Sequence, residues 1–159
     1  MLLPFVNPND TDFPPDVVKH FESGMHGDEL MIPWHDKDGN LLAHLMRGPG
    51  VPRGTHDRWE GEKPRQLYNL HRIKSDAIVL TQDVYDVWHA YMGHHDAVAF
   101  HGRWLMGYAD DLEEAGVRFV SLWMPSAPSI VEELAYRFFV RYVDIPIRTE
   151  RHWNGGASL

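Results

Sequence analysis

The stretch AIVLTQDVYDVWHAYMGHHDAVAFHG, Ala77 to Gly102, decides how the rest of the chain is read. Ala77-Ile78-Val79-Leu80 is a short unbroken apolar run, the pattern of a strand covered on both faces. Val84, Val87, Trp88 and Tyr91 then recur at helical spacing, and Gly93 marks a stop. Ala97 to Phe100 is a second apolar run. The whole is a strand, turn, helix and strand, and in such a unit chemistry gathers at the C-terminal end of the first strand. Thr81, Gln82 and Asp83 stand at that position, with Asp86 one turn on.

Downstream the same alternation continues. Arg103 to Ala115 reads as a helix with Leu105, Tyr108, Ala109 and Leu112 inward, ended by Gly116. Val117 to Trp123 reads as a third strand. Ser129 with Glu132 forms a capping-box pattern for a helix through Arg141, with Ile130, Leu134 and Phe138 inward. Val143 to Ile147 reads as a fourth strand. Upstream, residues 1–14 form an irregular lead. Asp16 to Ser23 is a short helix ended by Gly24. Asp28–His35 and Leu41–Met46 flank Asp36-Lys37-Asp38-Gly39-Asn40, a strong hairpin turn. Residues 47–65 read as a long exposed segment, and Gln66 to Leu70 as a short strand. The fold class expected is α/β. A small, mostly parallel sheet with helices on both faces (76–148) follows an α+β lobe containing the hairpin (1–75), and a tail closes the chain (149–159).

A chain of 159 residues suits one compact domain, in two lobes here. Without cysteine, disulfides and thiolate metal sites are excluded. No run approaches the length of a membrane span and none resembles a signal peptide, so no membrane partner and a cytoplasmic location are expected. The net charge of −8 argues against bulk nonspecific nucleic-acid binding. Charge is uneven, however. Residues 47–74 hold 7 Lys/Arg against 3 acids. Arg47, Arg53, Arg58, Lys63, Arg65, Arg72 and Lys74 give a candidate basic path, and Trp59 among them is a candidate for stacking on bases. Packing of Trp59 onto its own lobe is the competing reading.

The order of these pieces resembles the Toprim-containing RNA-polymerase domain of bacterial and phage primases. LMIPWHDKDGNLLAHLMRG (30–48) is similar to the hairpin preceding the Toprim fold. KPRQLYNLHRI (63–73) is similar to the link into the core. Residues 77–105 resemble the strand, E-G-x-x-D turn, helix and A-V-A-x-x-G strand, and residues 116–139 take the place of the strand ending in D-x-D and its helix. The resemblance implies a bacterial or phage setting, a replication assembly, and single-stranded DNA, RNA or a replication or primase partner protein as ligand. It also implies where the chain departs from its family. The catalytic Glu is matched by Gln82, the following Gly by Asp83, and the next acid by Asp86. The magnesium-holding D-x-D falls on Met124-Pro125-Ser126. An amide takes no proton and a thioether is a poor magnesium ligand. The reading is a catalytically degenerate primase-like protein without a cofactor. Two alternatives stand beside it. One is a divergent magnesium-dependent primase using Asp83 and Asp86, with Asp110 or Asp111. The other is a structural adaptor that binds no nucleic acid.

Eleven histidines raise a metal hypothesis. His89, His94, His95 and His101 form one group, and His35, Asp36 and Asp38 a second. Neither has the H-x-x-x-H or H-E-x-x-H spacing of a zinc site, and no metal is expected. Nor is there a P-loop or a G-x-S-x-G nucleophile motif.

Overall fold

The computed structural model of the chain describes residues 13–49, 54–125 and 128–144. The expectations for the lead before Phe13, for Arg53, for Ser126, for 145–147 and for the tail lie outside these residues. Packing divides the chain into two units. The first is drawn from Met1–Trp34 and Leu41–Pro64, and the second from His35–Asn40 and Arg65–Ile147.

The first unit opens with helix α1 (Pro15–His20), which buries Val17 and Val18. It ends earlier than Gly24. Glu22 takes the left-handed conformation (φ 55°), and the Ser23 amide reaches back to the Val18 carbonyl at 3.0 Å. Gly24 instead begins strand β1 (Gly24–His26), first of a four-stranded sheet ordered β1-β2-β3-β4. In β2 (Glu29–His35) the alternation Leu30, Ile32, Trp34 faces the core, as the period of two requires. Strand β3 (Leu41–Arg47) returns from the turn. The Asp36 carboxylate accepts from the Asp38 and Asn40 amides, both at 2.9 Å, and these bonds hold its pKa below the usual aspartate range.

Residues 47–65 are not one exposed loop. Asp57–Glu60 is strand β4, antiparallel to β3 from His44↔Glu60 to Arg47↔Asp57. What anchors it is polar. The Arg47 guanidinium meets the Asp57 carboxylate through two bonds of 2.9 Å, with the side chains 1% and 7% exposed. Hydrophobic periodicity is blind to a strand fixed by a buried fork-to-fork ion pair.

The second unit is built on a parallel sheet ordered β6-β5-β7-β8. Its strands are β5 (Ala77–Thr81), β6 (Ala97–Ala99), β7 (Phe119–Met124) and β8 (Phe139–Asp144). Helices α2 (Val84–Met92), α3 (Gly107–Glu114) and α4 (Pro128–Ala135) make the connections. Leu80, Val98, Leu112, Leu122 and Leu134 sit in one core. Leu67 and Leu70 belong to it too, and Tyr68 forms a bridge to Ala99, so this unit begins at Arg65 rather than 76. Apart from that bridge, 66–70 is no strand; it leads into a 3-10 turn at Leu70–Arg72.

Several boundaries shift for local reasons. Helix α2 does stop at Gly93, yet the left-handed residue is His94 (φ 65°), with the His95 amide on the Ala90 carbonyl. Helix α3 starts at Gly107, four residues after Arg103. Helix α4 places Pro128 in its first turn, so Ser129 lies inside the helix and makes no capping box. It ends at Ala135, and Phe138 still reaches the core through a turn. The β-rich run Phe139–Asp144 becomes the fourth strand, four residues before the expected Val143.

Two stability outcomes follow. Arg47→Ala strands a buried carboxylate and lowers the unfolding free energy in urea by about 3 kcal/mol, whereas replacing Arg47 and Asp57 together by apolar residues recovers most of that. His94→Gly relieves the left-handed backbone and raises stability by about 1 kcal/mol in the same assay.

Candidate functional site

In an open parallel sheet the ligand crevice lies beyond the strand C-termini where the strand order reverses. Here β6 lies on one side of β5 and β7 on the other, in parallel register with Thr81 opposite Trp123. The residues carried to the crevice are therefore Gln82 from β5 and Met124 from β7.

The turn out of β5 is closed by its own side chains. The buried Thr81 hydroxyl donates to the Asp83 carbonyl at 3.0 Å. Asp83 is the N-cap of α2, extended in backbone, and its carboxylate accepts from the Tyr85 amide at 2.9 Å. Asp86 is half-buried in the first helical turn, where its charge suits the helix dipole. Gln82 is exposed, while Met124 is 1% exposed. Backbone register sets Asp144 of β8 beside Met124, a neighbour that the linear sequence does not pick out.

This donor set does not fit the magnesium of the primase resemblance. It offers an amide and a buried thioether at the strand ends, the cap carboxylate of Asp83 and Asp86 one turn on, and among the described residues no three carboxylates converge, where the ion requires several hard oxygens. The other acids do not complete it. Asp110 pairs with Arg137 at 2.6 Å. Asp111 is half-buried near Lys37, and burial raises its pKa above the usual range. Among the described residues no three His, Asp or Glu side chains converge, and the two histidine groups do not either.

The basic path is sharply reduced. Arg47 is spent on Asp57 inside the first unit. Arg58 is exposed but forked onto Glu29 at 2.8 and 2.6 Å, with Glu60 also near; its cation holds the Glu29 carboxyl below the usual range. Trp59 is half-buried and edge-on to Trp34 at 5.1 Å, so it packs on its own lobe. Arg72 is half-buried and engaged. Lys63, Arg65 and Lys74 stay exposed, and among the described residues none pairs with a carboxylate.

One feature that sequence reasoning misses lies in the second unit. Arg65 shares a cavity of about 480 Å³ with Arg103, Trp104, Leu105, Met106 and Gly107 of the loop joining β6 to α3. By spacing alone, Arg103 begins a helix, whereas α3 starts at Gly107; Trp104 packs against the core as its spacing suggests and also lines the cavity. A Gly-Arg-Trp step in the loop after a strand end was the available signal, since strand C-termini are where loops carry function.

A hairpin-bearing antiparallel sheet followed by a four-stranded parallel sheet with this order is the architecture of the primase RNA-polymerase, or Toprim-like, domain. The chain is similar to the DnaG primase catalytic domain in a structure bound to ssDNA, with TM-score 0.56 and 19% identity over 75% of this chain and 45% of that one. It is similar to the Aquifex aeolicus primase zinc-binding and RNA-polymerase domains, with TM-score 0.57 and 16% identity over 75% and 34%. It is also similar to the E. coli primase catalytic core, with TM-score 0.56 and 18% identity over 77% and 46%. The chain thus spans less than half the length of each of these structures. No family model and no curated protein matches it by sequence. Likeness at this identity establishes the fold.

If Asp83 is a helix cap, Asp83→Ala costs about 1 kcal/mol of stability and Asp83→Asn or Asp83→Ser costs little, because Asp, Asn and Ser all offer an oxygen to the α2 amides. Urea unfolding of the three variants checks this.

Proposed function

We propose that this chain is a primase-type Toprim-like module that binds single-stranded nucleic acid in a replication assembly and carries out no metal-dependent nucleotidyl transfer of its own. The observation behind the loss of catalysis is the crevice between β5 and β7, where exposed Gln82 and buried Met124 stand at the strand ends. Transfer to a nucleoside triphosphate needs a base on the attacking hydroxyl and cations on the phosphates. An amide supplies no base, and Asp83 already serves the helix.

Binding is supported by different residues. In a chain of net charge −8, the exposed cations Lys63, Arg65 and Lys74 are, among the described residues, the part of the basic path left for phosphates. A relative of the same fold has been seen bound to ssDNA. No helix among the described residues is long and apolar enough to cross a membrane.

A second reading, docking of a replication partner protein, has its own observation. Phe119 and Phe139 stack at 5.2 Å and are 43% and 66% exposed, with Tyr136 90% exposed nearby in the chain. Exposed aromatic surface of this kind favours a protein partner. Co-elution with replication proteins in size exclusion, lost in Phe139→Asp, supports this reading; unchanged co-elution counts against it.

The leading reading is checked by anisotropy of a labelled single strand across a salt series. Binding is expected at low salt and weakens as salt rises. The Lys63→Ala, Arg65→Ala, Lys74→Ala combination flattens the salt slope by about one for each phosphate that is no longer neutralised, while Arg58→Ala leaves it unchanged. No primer is expected with template, nucleoside triphosphates and magnesium. Primer synthesis that disappears in Asp86→Asn would overturn the reading.

A further inference from the structure

Among the described residues some arginines are paired and others are not. Arg47, Arg58 and Arg137 are each matched to carboxylates. Arg65 and Arg103 are exposed, and among the described residues neither has a carboxylate partner, yet they line the same cavity. Two cations lining one cavity with no carboxylate on them give it a positive potential that favours an anion.

The remaining wall of the cavity is specific. The Trp104 indole is half-buried and fixed in place. Its Nε1–H donates to Glu133 at 2.9 Å, and its ring meets Phe100 and Tyr108 edge-on at 5.4 and 5.2 Å. Its position is thus set before any ligand arrives, which lowers the ordering cost of binding. Met106 is 87% exposed beside it and Leu105 is half-buried. Gly107, the first residue of α3, is open: a Cβ there would meet nothing within 4 Å. No side chain caps the helix, so its amide end adds positive potential to the guanidiniums. The Glu133 carboxylate is turned onto the indole N–H, and Asp110 stands in the first turn of α3.

A volume of about 480 Å³ exceeds what a bare phosphate needs and falls in the range of small-ligand sites. Cations on one side and an indole with a thioether on the other match a ligand with an anionic end and a flat apolar body. Of the cations, Arg65 and Arg103 are the two that line this cavity, which matches a single phosphate group better than a long phosphate track.

We propose that the Arg65–Arg103–Trp104 cavity is a binding site for a nucleoside phosphomonoester, either a free mononucleotide or the terminal phosphate of a strand. Arg65 and Arg103 clamp the phosphate oxygens, and Trp104 with Met106 carries the base. The choice of nucleotide as ligand class rests on the nucleic-acid reading above; the anion site itself does not.

Calorimetric titration of the full chain with adenosine, AMP, and one single-stranded oligonucleotide with and without a 5′-phosphate tests it. AMP is expected to bind and adenosine not. The 5′-phosphate is expected to strengthen oligonucleotide binding. Arg65→Ala and Arg103→Ala each weaken AMP binding about tenfold or more, the loss of a charge-assisted hydrogen bond. Arg118→Ala, the same change of charge at the opposite end of the sheet, leaves it intact. Thermal unfolding of each variant confirms that it is folded. Equal binding of adenosine and AMP overturns the proposal, as does AMP affinity indifferent to both arginines. If AMP binds through the arginines but neither oligonucleotide binds, the site stands and the strand-binding reading falls. If both oligonucleotides bind alike and AMP does not, the reverse holds. Binding of AMP and of the phosphorylated strand alone identifies the terminal phosphate as the element recognised.

Discussion

The second unit depends on the turn where the central strand β5 ends. Thr81 is fully buried, and a polar side chain there needs a partner. It finds one in the Asp83 carbonyl, while the Asp83 carboxylate satisfies the Tyr85 amide at the start of α2. These two bonds fix the direction in which α2 leaves the sheet. They also use the first carboxylate of the turn as structure.

The same economy governs the cations. A stretch rich in lysine and arginine looks like a binding surface when counted along the chain. Folded, its arginines are largely consumed. Arg47 holds β4 to β3 from inside, and Arg58 ties β4 to Glu29 of β2. The buried pair matters far more for stability than the exposed one, because solvent screens the latter. What remains free is few and local. The cavity behind Arg65 and Arg103 gains its character from that subtraction.

Aromatic residues sort in the same manner. Trp88 is fully buried, and its Nε1–H donates to the Tyr68 hydroxyl at 3.0 Å, which ties the segment before β5 to α2. Trp59 lies against Trp34. Trp104 packs against the core, as its spacing suggests, is held edge-on by Phe100 and Tyr108, and also lines a cavity. A tryptophan fixed by a hydrogen bond and two edge contacts is a prepared surface, not a mobile one.

By itself, the sequence determined the parallel sheet, its helices, the hairpin before it and the likeness to primase domains. Those features rest on periodic burial and turn chemistry, which are local in the chain. It also placed Gln82 and Met124 at strand ends, since strand ends can be read from apolar runs. Only the tertiary structure decided which charges are spent and which are free. Strand β4, the left-handed His94, and the cavity shared by Arg65, Arg103 and Trp104 were not legible. Each depends on a partner distant in sequence or on backbone geometry that composition does not encode, and a side chain's charge reveals nothing of its use until its neighbours are in place.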